Sequence, residues 1–243
     1  YAGGCGLGLN LLVSGHISHF HINDYDRSIW AFWHSVLHET RSLCELITET
    51  EVTLAEWRVQ KEIQKQKETV DPLTLGFSTF FLNRTNRSGI IHSGGCIGGI
   101  SQQGAYTIDC RFNKSNLIDR IKRIAKYKNR ITLTFKDAED FVGQFQGDNK
   151  TIVYIDPPYF EKGQSLYKNS YLKADHKRLA QRFLSLKTPF IITYDDVEGI
   201  RSLYEQWGAA TFELQYSAQI KRKAKELIIF GNLQETTFLP NSN

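Results

Sequence analysis

The chain has 243 residues, enough for one large α/β domain or for a core domain with an inserted module. It is 41% hydrophobic and 23% charged, an ordinary globular composition, with no apolar run long enough to span a bilayer and no signal-peptide pattern. A net charge of +4 is compatible with a polyanionic partner, and the four scattered cysteines, none in CxxC spacing, argue against a disulfide framework and a structural zinc site.

The opening YAGGCGLGLNLLVSG reads as a glycine-rich loop feeding a short helix. Residues 17–22 form a strand that runs into an acidic turn, NDYD. Ile29, Trp33, Val36 and Leu37 recur at helical spacing and predict one helix from about 25 to 47. TLAE at 53–56 is a capping-box pattern, and its helix runs to about 68. A short aromatic helix follows at 74–82. Residues 83–104, NRTNRSGIIHSGGCIGGISQQG, have little periodicity and are long for a loop in a compact domain, so they are functional or disordered. Leu117, Ile118, Ile121 and Ile124 mark an amphipathic helix.

The remainder alternates: strand 131–135, helix 137–145, strand 151–155, helix 174–186, strand 190–193, helix 197–207, and strands 211–215 and 226–230. This predicts an α/β fold with a mostly parallel sheet covered by helices on both faces. The last two strands, after a basic turn at 221–223, suit an antiparallel edge.

Three places carry candidate chemistry. A glycine turn opening a helix lets backbone approach a nucleotide-like ligand, although such turns also occur without one. Asp24 lies about 20 residues further on, where an acidic residue can hold ribose hydroxyls; it can equally cap the next helix. Together they favour an adenosine-containing cofactor. Asp137, at the end of the strand ITLTF, lies at the carboxyl end where open sheets bind ligands, and a helix cap is again the alternative.

The third place is TIVYIDPPYF, residues 151–160, a strand that reads as fully buried and ends in DPPY. Two prolines fix φ and remove N–H donors. The Asp156 carboxylate and the Pro157 carbonyl are left as two acceptors beside the Tyr159 ring, with Pro158 between. Such a group suits a planar ring carrying an amino group. The histidines at 16, 19 and 21, and the pair His34 and His38, have no Cys or carboxylate spaced to complete a metal site and read as ordinary side chains.

DPPY after an apolar strand, with YAGGCG upstream, resembles the Dam-like N6-adenine-specific DNA methyltransferases. The likeness covers nearly the whole chain. FFLNRTNRSG at 80–89 resembles the family's FNR segment, CRFN at 110–113 a later FN element, and YKNSY, FIITYDD and IKRKAKELIIF the elements after DPPY. Cys5 stands where the family usually has Gly. The chain begins at the glycine turn and has no Met, which reads as a fragment lacking the family's preceding segment, with weakened cofactor binding as the expectation.

The resemblance implies the S-adenosylmethionine-dependent methyltransferase fold, Rossmann-like, with residues 1–50 and 115–243 as the catalytic domain. Residues 51–114 would be an inserted, mainly helical target-recognition region. It implies S-adenosylmethionine as cofactor, bound by Tyr1, Gly3, Gly6, Asp24, Asp137 and Asp156, and no metal. Asp156, Pro157, Pro158 and Tyr159 would act on an adenine flipped out of duplex DNA. Asn83, Arg84, Asn86, Arg87, Ser88, Arg111 and Asn113 would contact bases or phosphates, and Lys221, Arg222 and Lys223 phosphates. The implied setting is a cytoplasmic monomer in a restriction system, a phage or a stand-alone modification role. Competing readings are a catalytically impaired DNA-binding fragment, an RNA methyltransferase, and a dinucleotide oxidoreductase that would leave DPPY unexplained.

Overall fold

The structure is a computed structural model that describes residues 2–157, 160, 172–216 and 222–233. It divides into two compact units, Ala2–Asp137 and the residues from Ala138 onward. The first unit runs α1 (Gly6–Val13), β1 (Phe20–Asn23), α2 (Arg27–His38), α3 (Thr40–Glu49), α4 (Leu54–Lys65), α5 (Pro72–Thr85), α6 (Lys114–Ala125) and β2 (Ile131–Thr134). The second runs α7 (Ala138–Gly143), β3 (Val153–Ile155), α8 (Lys173–Leu184), β4 (Phe190–Asp195), α9 (Glu198–Leu203), β5 (Gly208–Tyr216) and β6 (Arg222–Gly231).

The helix expected over 25–47 is two helices, broken at Glu39. The break lets Trp33, Val36 and Leu37 from one segment and Leu43 and Ile47 from the next reach the same core. Only half of the capping box forms: the Thr53 hydroxyl accepts from the Glu56 N–H at 3.1 Å, while the Glu56 carboxylate accepts from Gln60 Nε2 at 2.6 Å. The aromatic helix is longer than expected because Asp71 caps it, accepting from the Thr74 N–H at 2.9 Å, and Pro72 supplies a preset first turn. Leu75 through Leu82 are all buried, so α5 is the central helix of this unit.

The helices of 51–114 pack as part of the same body as α2. Buried Ser28 on α2 donates to Gln64 Oε1 of α4 at 2.8 Å, and Gln64 Nε2 donates to Ser78 and Thr79 of α5 at 3.1 and 3.0 Å. Polar groups buried this deeply are tolerated only when each finds a partner, and the result fixes one packing of the three helices. A Cβ at Gly76 would collide with the Ser35 hydroxyl and the Ala31 carbonyl, so α2 and α5 approach too closely for any larger residue.

The strand pairings are fewer in parallel than the alternation predicts. β1 and β2 pair in parallel, Phe20 opposite Ile131. In the second unit the order is β3-β4-β6-β5, with β3–β4 parallel and both β4–β6 and β5–β6 antiparallel. Two of the four described pairings are therefore antiparallel. The β5–β6 pair is not only an edge: β6 slots between β4 and β5. Strand β3 is shorter than expected and buried on one face, and among the described strands it pairs with β4 alone. Val153 and Ile155 face the core, while Tyr154 is 46% exposed.

Replacing Gly76 by Ala should destabilise the protein by about 1–3 kcal/mol through overpacking, read as a lower urea midpoint. An unchanged midpoint would mean that α2 and α5 are not in this close contact.

Candidate active site

In the first unit the chain must turn sharply between Ala2 and α1. Gly3 adopts φ +46°, and Cys5 sits in the left-handed region at φ +49°. A left-handed non-glycine residue is uncommon, and glycine would adopt this conformation without strain. Burial pushes the Cys5 thiol up to about 12, so it stays a thiol and donates to the Ala2 carbonyl at 3.1 Å. All four cysteines are free thiols.

Asp24 follows β1 and is buried. Its Oδ2 accepts from the Ala2 and Gly3 N–H groups at 2.8 and 3.4 Å, and its Oδ1 accepts from the Asp26 N–H at 2.8 Å. The helix-cap role belongs to Asp26, which accepts from the Ser28 N–H at 2.9 Å. Asn23 ties the strand ends together. Its Oδ1 accepts from Thr134 Oγ1 at 2.8 Å and the Lys136 N–H at 3.0 Å, and its Nδ2 donates to the Lys136 carbonyl at 2.9 Å. Asp137 is the next residue. Gly3, Asp24 and Asp137 are thus gathered at the carboxyl ends of β1 and β2, with Gly6 opening α1 from the same turn.

Two features here were missed from sequence. Trp33, taken as core, also donates its indole N–H to the Gly3 carbonyl at 3.0 Å and so fixes the turn from below. Tyr25 and Phe135 stack with ring centres 5.6 Å apart and planes 12° from parallel, although they are 59% and 45% exposed. A Cβ built on Gly3, Gly4 or Gly6 meets nothing within 4 Å, so the turn has an open face. An open glycine turn, a buried carboxylate with an accepting site left on Oδ1 and an exposed aromatic pair fit an adenosine-bearing ligand.

The residues expected to read DNA separate by burial. Asn86 is fully buried: it accepts from the Trp57 indole N–H at 2.6 Å and donates to the carbonyls of Ile90 and Ile91 at 2.6 and 3.2 Å. Its side chain shapes the loop from inside. Arg111 donates to the carbonyls of Asn83, Arg84 and Asn86 at 2.6, 3.2 and 2.8 Å. It therefore satisfies the last turn of α5, where a cation also suits the helix dipole. Asn113 caps α6, accepting from the Asn116 N–H at 3.0 Å. Asn83 donates to the Gly89 carbonyl at 3.2 Å and accepts from Arg84 at 2.6 Å.

Arg87 and Ser88 are exposed, Ser88 at φ +54°. Burial, with the charges of Arg111 and Arg120, pushes the Arg84 guanidinium down. Arg120, on α6, was not singled out from sequence.

A polar cluster ties this region to the start of α2. Lys67, 8% exposed, donates to Asp26 Oδ1 at 3.0 Å, and His92 lies 3.2 Å from Asp26 Oδ2. Burial alone would push the Asp26 carboxyl up. The His92 hydrogen bond, the Lys67 charge and the Ser28 N–H outweigh it and hold the carboxyl well below the ordinary range.

In the second unit, Asp156 and Pro157 follow β3 directly. Thr193 of β4 donates to Asp156 Oδ1 at 3.0 Å. Desolvation by the surrounding strands pushes the Asp156 carboxyl up, and the Thr193 hydrogen bond offsets part of the shift. Asp195, two residues beyond Thr193, accepts from the Phe160 N–H at 2.9 Å. Tyr1, Pro158, Tyr159 and Lys221 lie outside the described residues, as do the side chains of Arg222 and Lys223, whose backbone begins β6. Among the described residues, no three His, Cys, Asp or Glu side chains are grouped to hold a metal ion, and no helix is long and apolar enough to cross a membrane.

A glycine turn with a buried acidic partner, and a strand ending in Asp-Pro-Pro-Tyr, together define a nucleotide-cofactor enzyme acting on an amine. The sequence matches the D12 class N6 adenine-specific DNA methyltransferase family over residues 1–221, and the chain belongs to that family. It is accordingly an α/β enzyme of the methyltransferase type that uses S-adenosylmethionine to methylate N6 of adenine in DNA. No curated protein matched the chain.

Asp26→Asn should cost about 2–3 kcal/mol at pH 7, from a weakened cap and a broken, partly buried ion pair. A depressed carboxyl contributes stability above its unfolded value near pH 4 and loses it as pH falls further, so the deficit should shrink below about pH 4. Urea titrations at several pH values check this; a deficit constant from pH 7 to 3 contradicts it.

Proposed function

We propose that Asp156 and the Pro157 carbonyl are the two acceptors that activate the adenine amine. The observation that carries this is the mounting of Asp156, held at one carboxylate oxygen by a buried hydroxyl at the end of paired strands. The N6 lone pair of adenine is delocalised into the ring, which makes the amine a poor nucleophile. Two accepted N–H hydrogen bonds localise density on nitrogen and favour the tetrahedral geometry of the transition state. Because the acceptors are fixed beforehand, this is electrostatic preorganisation combined with positioning.

S-adenosylmethionine supplies an electrophilic methyl group on a positively charged sulfur. Gly3, Gly6, Asp24 and Asp137 would hold it, and their arrangement at an open glycine turn supports that role. Tyr1 and Tyr159 keep their proposed roles, at the methionine side of the cofactor and against the face of the base. In this reading the proton released from the amine passes to Asp156 or to a water. A base inside a duplex cannot reach such acceptors, so the adenine is flipped out, and stacking on an aromatic ring contributes about 1–3 kcal/mol.

For DNA we propose a narrower reading set than the sequence suggests. Arg87 and Ser88 are exposed and suit base or phosphate contact. Arg84, with Arg111 and Arg120 beside it, forms a cationic group that a phosphate would neutralise. Asn83, Asn86, Arg111 and Asn113 act by holding the loop. Lys221, Arg222 and Lys223 remain proposed phosphate contacts. The fold we propose is Rossmann-like with a helical recognition insertion, acting as a cytoplasmic monomer, since one target base needs one set of acceptors.

Asp156→Ala should lower single-turnover methyl transfer about 100- to 1000-fold. Retention of activity within a few-fold of wild type contradicts the assignment. Arg84→Gln should weaken binding to all duplexes alike and flatten the log–log salt slope by about 1; a changed base preference would contradict phosphate contact.

A further inference from the structure

The parallel register of β3 and β4 places Ile155 opposite Ile192, so Asp156 and Thr193 come next on adjoining strands. Thr193 is 6% exposed, and its hydroxyl lies 3.0 Å from Asp156 Oδ1. The Tyr154 phenol lies 3.1 Å from the same hydroxyl. A threonine hydroxyl carries one proton, and an ionised carboxylate only accepts. Thr193 therefore donates to Asp156, and the Tyr154 contact is left with one possible donor, the phenol. The hydrogen bonds run in one direction, from Tyr154 to Thr193 to Asp156. The Ile155 carbonyl, 3.5 Å from Thr193, is too distant to compete well.

The titratable groups around this chain keep that direction. Burial pushes the Tyr154 phenol up; the Thr193 hydrogen bond offsets part of this, and the carboxylates of Asp156, just past β3, and Glu226 on β6 add to the rise, so it stays a donor. Asp195 projects from the same face of β4 as Thr193, two residues on, and holds the Phe160 N–H. One face of β4 therefore holds both the Asp156 carboxylate and the Phe160 N–H. Oδ1 of Asp156 is engaged by Thr193, while Oδ2 takes no hydrogen bond among the described residues.

We infer that Thr193, supported by Tyr154, is a positioning residue for methyl transfer: it holds the Asp156 carboxylate by Oδ1 and leaves Oδ2 to accept from the adenine amine. The inference rests on Asp156 being the amine acceptor. Thr193 touches neither the base nor the cofactor in this scheme. It sets the orientation of the carboxylate and keeps it ionised, since a hydrogen bond donated to the charged form favours that form.

The test compares wild type, Thr193→Val, Thr193→Ser and Tyr154→Phe in single-turnover methyl transfer over a pH series. Thr193→Val should lower the rate about 10- to 100-fold, as expected for a misplaced reacting group, with apparent affinity for DNA and S-adenosylmethionine within about two-fold. Its acidic limb should move to higher pH, because the carboxylate has lost a donor. Thr193→Ser should restore both rate and limb, and Tyr154→Phe should shift them in the same direction as Val but less. A carbon-13 titration of the Asp156 carboxyl needs no turnover and should show its midpoint raised in Thr193→Val. Active wild type with Thr193→Val unchanged in rate, limb and carboxyl midpoint overturns the inference and leaves Asp156 as acceptor. If Thr193→Val does not fold, an unshifted limb and carboxyl midpoint in Tyr154→Phe overturns it equally. Wild type that transfers no methyl group overturns both.

Discussion

The parallel register between β3 and β4 is the constraint on which the second unit, and the proposed role of Asp156, depend. Parallel strands in step end at the same level, so the first residue after β3 stands beside a chosen residue of β4. Here that pair is Asp156 and Thr193. A slip of one residue would turn Thr193 to the other face and leave the carboxylate against an isoleucine or a tyrosine. The apolar positions make the slip costly, because Val153, Ile155, Phe190 and Ile192 are all buried in the same core. Hydrophobic burial thus fixes a polar contact that is itself worth only about 1–3 kcal/mol.

The first unit solves a related problem with the opposite partners. There the backbone has donors to satisfy, in the glycine turn before α1. Asp24 gathers the Ala2 and Gly3 N–H groups while Asn23 closes the gap between the ends of β1 and β2. The recognition loop uses the same device in longer form. Asn86 and Arg111 consume carbonyls that no helix or sheet satisfies, and in doing so they present Arg87 and Ser88 outward. Polar side chains that look like DNA readers are in part the struts that make reading possible.

Much of this was legible from residue order. Helical spacing located α2 and α6, an aromatic run located α5, Thr53 and Glu56 marked a helix start, and DPPY pointed to the family. Which polar residues of this loop are buried was not, because Asn86 and Arg87 are neighbours of similar polarity. That difference in burial is set by Trp57, 29 residues earlier, which no local pattern connects to Asn86. The place of β6 between β4 and β5 depends on long-range pairing, to which short-range propensity is blind. Thr193 did leave a trace: one threonine in the strand FIITYD, at the level where the DPPY strand ends. Reading it required the register, which only the folded chain supplies.

The account makes one central claim, that a fixed carboxylate draws a methyl group onto the exocyclic nitrogen of adenine in DNA. Nucleoside analysis tests it most directly. Duplex DNA of mixed sequence is incubated with the protein and methyl-labelled S-adenosylmethionine, digested to nucleosides and separated. The account predicts label in N6-methyladenine. Label in a methylated cytosine, or in RNA with none in DNA, would contradict it.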